Sequence, residues 1–470
     1  MKAKFYISTI LLIVATSSCK KMLEENTKSY LSNTNFYASA SDAVAAINSV
    51  YGPLQDDLVF LYYQQLTEVP TDDVTIANAT VAARVELENF QYNGTHVSVV
   101  NVWKNAYIMI SRANVVLSRV PPIVMDSRLK TRILAEARFM RAFAYFRLVR
   151  LFGKVPLVLE EVTNPKDIYP KSEEIASIYQ AIIEDLKFAE VNLDTKYDFG
   201  NPEYGRPTIG SAKSLLANVY LTMAGEPLKD SSKYQLAADK AKEVIDNKST
   251  YGYEMVANVI DLFDYKKEST NTEVVFYSRA FSGYPATSRY FSRMYNLYVT
   301  ASAFIPTTQI RTLYTTTDDR SKLITSNRRI GKYIDAEHGT DADNDYPLIR
   351  YTEVLLTYAE SLIEIGGVDN LSAGLAIINQ IRARAKLTTP LTVNMSDAAA
   401  AQITVRKMLR DERRLELAFE GQRWHDLVRW GTLVPVMQAA GINTVQEKNK
   451  VFPIPSIELD VNPNLLPNGY

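Results

Sequence analysis

Apolar residues return at every third or fourth position over long stretches of the chain, which places them on one face of an α-helix. Between positions 99 and 120, Val100, Trp103, Tyr107 and Ile110 follow this spacing before Pro121 ends the pattern. The same periodicity predicts helices over 41–54, 128–152, 172–193, 208–224, 234–247, 353–365 and 372–384.

Several of these helices form pairs separated by a short turn that contains glycine. Gly225 stands between the helices over 208–224 and 234–247, and Gly366 and Gly367 separate the helices over 353–365 and 372–384. Small and aromatic residues such as Ala217 and Tyr220 stand where tetratricopeptide repeats place them. Because one pair cannot bury its apolar face alone, we expect the pairs to stack on one another.

Between the helical segments the periodicity is lost. Residues 55–97 and 258–346 are rich in Tyr, Asp, Asn, Ser and Thr, and positions 273–277 read as a short strand. The Pro- and Asn-rich tail after position 431 is predicted to contain no helix. The fold class that follows is mainly α, with tetratricopeptide-like helix pairs as a scaffold and a loop-rich irregular lobe that carries a few short strands.

The first residues read as an export signal. Lys2 and Lys4 precede an apolar run of about eleven residues, too short to span a bilayer, which needs roughly 20. Small residues then lead to Cys19, the only cysteine, in a pattern that resembles the lipobox of bacterial lipoproteins. We therefore predict a signal peptide over 1–18, lipidation at Cys19 and a tether over 19–40, with no disulfides in the mature chain.

The obvious place to look for chemistry is the segment from Val405 to Gly431, which holds six arginines and five carboxylates. Glu416, Glu420 and Asp426 invite comparison with a glycoside hydrolase, which needs two carboxyl groups across a sugar site. Five of the arginines crowd the same carboxylates, however, and an arginine lowers the pKa of its partner, the opposite of what a general acid needs. We predict a structural network with ion pairs Arg413–Glu416 and Lys407–Asp411, and no catalytic residue.

Other familiar sites are not supported by the sequence. The three histidines are isolated, and His425 is predicted to pack beside Trp424. The acidic run from Asp341 to Asp345 begins like a calcium loop, but Tyr346 and Thr352 replace the required Gly and Glu, so we favour a solvated turn. No metal and no cofactor are predicted. The formal net charge of -1 gives no reason to expect nucleic acid as a partner.

Five further segments, in the same order along the chain, are similar to the SusD/RagB family of Bacteroidetes outer-membrane lipoproteins. They are EARFMRAFAYFRLVRLFGKVPLV from Glu136, YPLIRYTEVLLTYAESL from Tyr346, INQIRARA from Ile378, RDERRLELAFEGQRWHDLVRWG from Arg410 and FPIPSIELDVNPNLLPNGY from Phe452. With the lipobox-like start, they span most of the chain.

The resemblance implies a cell-surface protein without catalysis, anchored in the outer membrane, which captures oligosaccharide and passes it to a SusC-like TonB-dependent transporter. A peptide ligand, a hydrolase using Glu416, Glu420 or Asp426, and a scaffold that binds only protein remain the alternatives. The implied division is an N-terminal helical region over 41–257 and a C-terminal region over 258–470, the latter comprising the irregular lobe (258–346), helices (347–431) and the tail (432–470).

The resemblance also places the ligand surface in loops of the N-terminal third and of the irregular lobe. Tyrosine offers an apolar face and a polar tip, as a sugar site requires. The candidate ligand contacts are Tyr62, Tyr63, Asp72, Asp73, Tyr284, Arg289, Tyr290 and Tyr295. Trp103, Trp424 and Trp430 follow helical apolar faces and are predicted to be core residues.

Overall fold

The computed structural model describes residues 36–55, 57–77, 81–280, 304–324, 329–333, 335, 337–338 and 343–470, and of residues 55 and 57–60 the backbone alone. Several predictions therefore lie outside the described residues: the signal peptide, the lipidation at Cys19, most of the tether, the start of the acidic run at Asp341, and the candidate contacts Tyr284, Arg289, Tyr290 and Tyr295.

The described part is mainly helical, which confirms the predicted fold class. The α-helices are α1 Ala40–Gln55, α2 Asp57–Glu68, α3 Ala82–Glu88, α4 Val97–Arg119, α5 Ser127–Phe152, α6 Ile175–Asn192, α7 Ile209–Ala224, α8 Lys233–Asp246, α9 Lys248–Tyr251, α10 Thr308–Leu313, α11 Tyr351–Ile365, α12 Val368–Arg384, α13 Ala398–Glu416, α14 Arg423–Arg429, α15 Leu433–Ala439 and α16 Ser456–Val461. Single 3-10 turns lie at Pro165–Asp167, Val259–Phe263, Tyr265–Thr270, Asp319–Leu323 and Glu447–Lys450.

The long helices pack in succession, as stacked pairs should. Helix α4 packs on α5, α5 on α6, α6 on α7, α7 on α8, α8 on α11, α11 on α12 and α12 on α13. The bulky side chains of Phe139, Tyr145 and Phe152 on α5 are buried in the core that these contacts enclose. Each helix covers the apolar face of its neighbour, so the stack buries what no single pair could.

Local sequence signals explain where the helices begin and end. Thr208 caps α7, its hydroxyl accepting a hydrogen bond from the backbone N–H of Ser211 at 3.2 Å. Asp126 caps α5 in the same way, accepting from the N–H of Leu129 at 2.8 Å. Gly366 and Gly367, with φ of 80° and 86°, provide the left-handed backbone that turns α11 into α12.

Within the described ranges, four short strands form two antiparallel pairs that tie distant segments together. Strand β1 (Val74–Ile76) pairs with β3 (Phe304–Pro306), and β2 (Val274–Ser278) pairs with β4 (Tyr346–Arg350). Strand β2 confirms the strand predicted at 273–277. Because β4 runs directly into α11, the β2–β4 pair joins the irregular lobe to the helical stack.

Two predictions of irregular structure were wrong. Residues 55–97 contain α2 and α3, and the tail contains α15 and α16. Helix α2 escaped the sequence analysis because its buried face is partly polar, with Gln64, Gln65 and Glu68 enclosed beside Leu61 and Leu66, so no apolar period is visible. Among the described residues, no helix combines the length and the apolar character that a bilayer crossing requires.

Candidate functional site

Helices α13 and α14 and the turn between them hold the carboxylates that suggested catalysis, and the fold encloses these carboxylates in a network of ion pairs. We call the clamp the set of buried charged side chains formed by Arg320, Lys332, Arg350, Arg384, Glu273, Glu412, Glu416 and Glu420. It gathers α13, the turn after it, β4, α12 and the residue preceding β2 into one charge-compensated core.

Arg350 lies at the centre of the clamp. Its guanidinium contacts the carboxylates of Glu273 at 2.6 Å, Glu420 at 2.6 Å and Glu416 at 3.1 Å. Arg384 contacts Glu273 at 3.0 Å and also bonds to Glu416. These charge-assisted hydrogen bonds satisfy groups that would be costly to bury unpaired.

Two further cations complete the clamp. Arg320 contacts Glu412 at 2.6 Å and Glu416 at 3.1 Å, while Lys332 contacts Glu420 at 2.6 Å. Burial raises the pKa of Glu416, but the charges of Arg384, Arg350 and Arg320 outweigh it and hold that pKa well below its usual range. Glu416 is therefore ionised and cannot serve as a general acid.

Asp426, the third catalytic candidate, belongs to a neighbouring set of ion pairs. Its carboxylate accepts from Arg413 at 2.8 Å and from Arg429 at 2.9 Å, and Arg429 also binds Glu360 in a bidentate pair at 2.6 and 2.7 Å. The predicted structural network is thus confirmed. The predicted pair Lys407–Asp411 is present at 2.6 Å, whereas the predicted pair Arg413–Glu416 was wrong, because Arg413 turns toward Asp426.

The backbone between α13 and α14 makes this geometry possible. Phe419 and Gly421 adopt positive φ of 65° and 72°, which reverses the chain between the two helices. The N–H of Gly421 donates to a carboxyl oxygen of the buried Glu68 on α2. Helix α13 ends at Glu416, so Phe419 and Gly421 both lie in the turn that follows it.

Three of the predicted ligand contacts in the N-terminal third point into the protein. Asp72 accepts from Arg423 at 2.8 and 2.9 Å, and Asp73 accepts from Arg414 at 2.7 Å. Tyr63 is buried, with its hydroxyl 3.0 Å from Nε2 of His425. As these side chains are enclosed and bonded to neighbours, the geometry argues against their contacting an external ligand.

The structure also places Tyr62, the three tryptophans and His425, which the sequence assigned to the ligand surface or to the core. Tyr62 is half-buried, and its assignment to a ligand stays a prediction. Trp103, Trp424 and His425 are buried, as predicted. Trp430 is only half-buried, and its Nε1–H donates to Glu360 at 2.7 Å.

One group of described side chains could in principle hold a metal ion. Ligand atoms of Asp335, His338 and Asp343 lie within 4.8 Å of one another. However, Asp335 Oδ2 already accepts from the His338 ring at 2.7 Å and from the backbone N–H of Asp343 at 3.0 Å. These hydrogen bonds account for the arrangement, so we assign no metal to it.

An open cleft elsewhere on the molecule has the chemistry of a ligand surface. We call it the tyrosine cleft; it measures about 660 Å³ including its open mouth, and it lies between α1, the loop before α7 and the end of β2. Its main lining residues are Asn48, Tyr51, Tyr204, Arg206, Tyr277 and Arg279. All three tyrosines are half-buried.

The rings and cations of the tyrosine cleft hold one another in place. The ring centres of Tyr204 and Tyr277 are 5.4 Å apart, and the Arg279 guanidinium lies 5.1 Å from the ring centre of Tyr204. Arg279 is fixed by Asp345 at 2.9 Å. Gly205, with φ of 101°, permits this close approach, because an added Cβ would come within 3.1 Å of the Arg279 side chain.

Two other lining residues, Tyr51 and Arg206, are held by one buried carboxylate. Glu136 of α5 accepts from the Tyr51 hydroxyl at 2.8 Å and from Arg206 at 2.8 Å. Arg206 also donates to the side-chain oxygen of the exposed Asn48 at 2.6 Å. Tyr51 and Arg206 are thereby oriented before any ligand arrives, which lowers the entropy lost on binding.

Tyr204 also belongs to two adjoining depressions. One is lined by polar side chains that include Tyr265, Glu268 and Asn271, and the other by Tyr197, Thr208 and Thr272. Together they extend the cleft into a surface of ring faces and hydrogen-bonding groups. Sequence analysis missed this site; the surplus of 29 tyrosines signalled such a surface but not which of them would form it.

Comparison with known proteins agrees with this architecture. Residues 215–470 match the SusD family, and residues 21–221 match a family described as starch-binding associating with outer membrane. SusD-like proteins of Formosa agariphila and Bacteroides ovatus are 28% and 26% identical to the chain. The alignments cover 99% and 93% of this chain and 100% and 84% of the relatives.

Solved structures show the same fold. A SusD superfamily protein from Parabacteroides distasonis superposes with a TM-score of 0.78 at 23% identity, covering 94% of this chain and 100% of that one. A laminarin binding SusD-like protein (TM-score 0.75, 24% identity, 92% and 100% covered) and surface glycan-binding protein A from Bacteroides fluxus (0.75, 20%, 90% and 97%) are also similar. With more than half of its length matched by the family and its fold shared with these structures, the chain belongs to the SusD family.

Proposed function

We propose that this protein is a lipid-anchored nutrient-binding protein of the outer-membrane surface, which captures an oligosaccharide in the tyrosine cleft. The protein does not cleave the sugar, and it delivers the intact sugar to a SusC-like TonB-dependent transporter. The observation that carries this proposal is the contrast in accessibility: the tyrosine cleft is open, whereas the acidic residues that could cleave a sugar are buried in ion pairs.

The side chains of the tyrosine cleft suit a carbohydrate. Sugar rings present C–H faces that pack on aromatic rings, and Tyr51, Tyr204 and Tyr277 each offer part of a ring face. Asn48, Arg206 and Arg279 lie around them and can bond to hydroxyl groups. Because the polar groups of the wall are already held by Glu136 and Asp345, a ligand meets a preorganised surface.

The relatives support a carbohydrate over a peptide. One similar structure is a laminarin binding protein and another is a surface glycan-binding protein. The family matched by residues 21–221 is described as starch-binding associating with outer membrane. This description, together with the predicted lipidation at Cys19, also supports the proposed location.

Affinity electrophoresis tests the ligand. The purified protein is run in native gels that contain laminarin, starch or other glycans, and we expect retardation by at least one of them. Tyr204→Ala should weaken that binding at least tenfold, about 1.4 kcal/mol, because the residue joins the cleft to both adjoining depressions. Tyr169→Ala is the matched control, since Tyr169 is 44% exposed and lines none of these depressions.

The alternatives correspond to distinct results. Binding of peptides but of no glycan would indicate a peptide-binding member of the family, and binding of neither would favour a scaffold for proteins. Recovery of shortened glycan, abolished by Glu416→Gln in a protein that remains folded, would indicate a hydrolase. We expect the glycan to be recovered intact.

The lipid anchor at Cys19 and the transporter partner are tested in cells. Cys19→Ala should move the protein from the membrane fraction to the soluble fraction, because lipidation supplies the membrane affinity. Wild-type protein should copurify with a TonB-dependent transporter after mild detergent extraction. Membrane retention of Cys19→Ala would contradict the lipid anchor.

A further inference from the structure

A second cavity lies on the helical stack and shares no lining residue with the tyrosine cleft. It opens between the C-terminal ends of α5 and α7, the helix α14 and the segment after the last 3-10 turn, and it measures about 520 Å³ including its mouth. Arg150, His425 and Lys450 provide polar groups, while Val149, Tyr179, Pro227, Val428 and Val451 provide apolar walls. We call it the amphipathic cavity.

Arg150 brings a positive charge to this cavity. Its guanidinium lies 3.9 Å from the ring centre of Phe146, and its Nε donates to the carbonyl of Phe146 at 3.2 Å. Within the part of the chain that the structure describes, no carboxylate forms an ion pair with Arg150. This sets Arg150 apart from Arg429, the other arginine of the wall, which is bonded to Glu360 and Asp426.

The remaining charges at the cavity leave that of Arg150 uncompensated. Glu226, the only carboxylate among the described lining residues, is paired with Lys229 at 2.7 Å. Lys450 at the rim is paired with the largely exposed Glu447 at 2.7 Å. The cavity therefore has an excess of positive charge next to apolar walls.

His425 is a second polar residue of the cavity wall. Its side chain is buried, and its Nε2 lies 3.0 Å from the Tyr63 hydroxyl. Its Nδ1 is buried without a hydrogen-bond partner among the described residues. Burial and the charges of Arg150, Arg147 and Arg429 hold the pKa of His425 well below its usual range, so the ring is neutral. If the Tyr63 hydroxyl donates to Nε2, the Nδ1 atom carries the proton and is a buried donor without an acceptor.

We infer that the amphipathic cavity binds a small organic carboxylate, with its oxygens accepting hydrogen bonds from Arg150 beside the His425 ring. Its apolar body packs on Val149, Val428 and Val451. Arg150 donates to the Phe146 carbonyl and to the Tyr63 hydroxyl, at 3.4 Å, but forms no ion pair among the described residues, so an anion would compensate its charge while an apolar body displaces water from the walls. The site is separate from the tyrosine cleft, and the inference does not depend on the proposed glycan binding.

Isothermal titration calorimetry with three ligands that differ in charge and in apolar surface tests the inference. Benzoate combines the carboxylate with an apolar ring, benzyl alcohol retains the ring without the charge, and inorganic phosphate retains the charge without the ring. We expect saturable one-to-one binding of benzoate, at least tenfold tighter than that of either of the others. Equal binding of benzyl alcohol, binding of phosphate alone, or no binding of benzoate at millimolar concentration would each overturn the inference.

The histidine ring signals locate the ligand without a mutation. The chain has only three histidines, so a long-range ¹H–¹⁵N spectrum contains three imidazole patterns. Benzoate should shift the nitrogen signals of His425 and leave those of His96 and His338 unchanged. Binding that leaves all three unchanged would place benzoate elsewhere and overturn the assignment.

A pair of variants on one helix then tests the role of Arg150. Arg150→Gln should weaken benzoate binding at least tenfold. Arg138→Gln is the matched control, because Arg138 also stacks on a phenylalanine, Phe188 at 4.3 Å, but does not line the cavity. Circular dichroism verifies that both variants are folded. Equal benzoate affinity in the two variants would contradict the inference, and glycan retardation should be the same in both.

Discussion

Arg350 in the clamp and Arg206 in the tyrosine cleft both contact glutamates, but their surroundings differ. Arg350 is 1% exposed in its side chain and meets three carboxylates, while Arg206 is 14% exposed, meets Glu136 and Glu203, and faces an open cleft. The comparison shows that the density of charged residues is a poor guide to which of them remain accessible. The many charged side chains of the clamp are buried in ion pairs with one another. Arg206, which has fewer charged neighbours, stays partly exposed at the tyrosine cleft.

Breaking the centre of the clamp should produce the largest effect. Arg350→Met leaves Glu273, Glu416 and Glu420 buried with less positive charge, and removing one partner of a buried pair costs about 3–5 kcal/mol. With several pairs broken, we expect the free energy of unfolding to fall by more than about 5 kcal/mol, comparable with the total stability of many proteins. Urea unfolding followed by circular dichroism measures it. A loss below about 1 kcal/mol would show that the clamp is not structural.

The pH dependence of stability should reveal the carboxyl group beside the clamp. Burial raises the pKa of Glu68 from 4.5 to about 8, so between these values the folded protein keeps a proton that the unfolded chain releases. The folded state binds more protons, and the free energy of unfolding therefore falls as pH rises through this window, by about 4–5 kcal/mol in total.

Glu68→Gln should remove that contribution. Urea unfolding at pH 5 and pH 9 is expected to give a smaller loss of stability for the variant than for the wild type. Glu174→Gln, which alters an exposed carboxylate, serves as the control and should keep the wild-type dependence. An unchanged dependence in Glu68→Gln would mean that Glu68 is ionised in the folded protein.

A smaller effect is expected in the tyrosine cleft. Gly205→Ala places a Cβ 3.1 Å from Arg279 at a φ of 101°, and such backbone strain costs of order 1–3 kcal/mol. Glycan retardation should also weaken, because Arg279 and Tyr204 are displaced. Gly441→Ala has a positive φ of 92° but no atom within 4 Å of the added Cβ, and Gly441 lines neither the cleft nor the adjoining depressions, so this variant should lose stability without losing ligand. Equal glycan binding by both variants would remove Gly205 from the site.

The smallest effect should come from an ion pair that was predicted from sequence alone. Lys407→Gln breaks the pair with Asp411, in which the two side chains are 79% and 61% exposed. Exposed pairs spaced four residues apart on a helix contribute about 0.3–0.5 kcal/mol. Urea unfolding should therefore change by less than about 0.5 kcal/mol. A larger loss would show that burial is not what distinguishes the clamp from other ion pairs.

Much of the fold could be predicted because the buried face of a helix is visible in the sequence as apolar residues at every third or fourth position. The predicted bounds of α4, α5, α7 and α8 agree with the structure to within about two residues. Helix α2 was missed since it buries Gln64, Gln65 and Glu68, which find partners only in the folded protein. The candidate site was predicted less well: Tyr63, Asp72 and Asp73 lie on the expected stretch, but they turn inward to His425, Arg423 and Arg414.

The sequence by itself determined the helical scaffold, the family resemblance and the abundance of arginines that neutralise the carboxylates near Glu416. Tertiary structure alone decided which groups meet. Glu416 bonds to Arg384, Arg350 and Arg320, which are 32, 66 and 96 positions away, rather than to Arg413 three positions away. The tyrosine cleft likewise joins Tyr51, Tyr204 and Tyr277 from three distant segments. Sequence spacing specifies neighbours on one helix, whereas contacts between elements follow from how their buried faces pack.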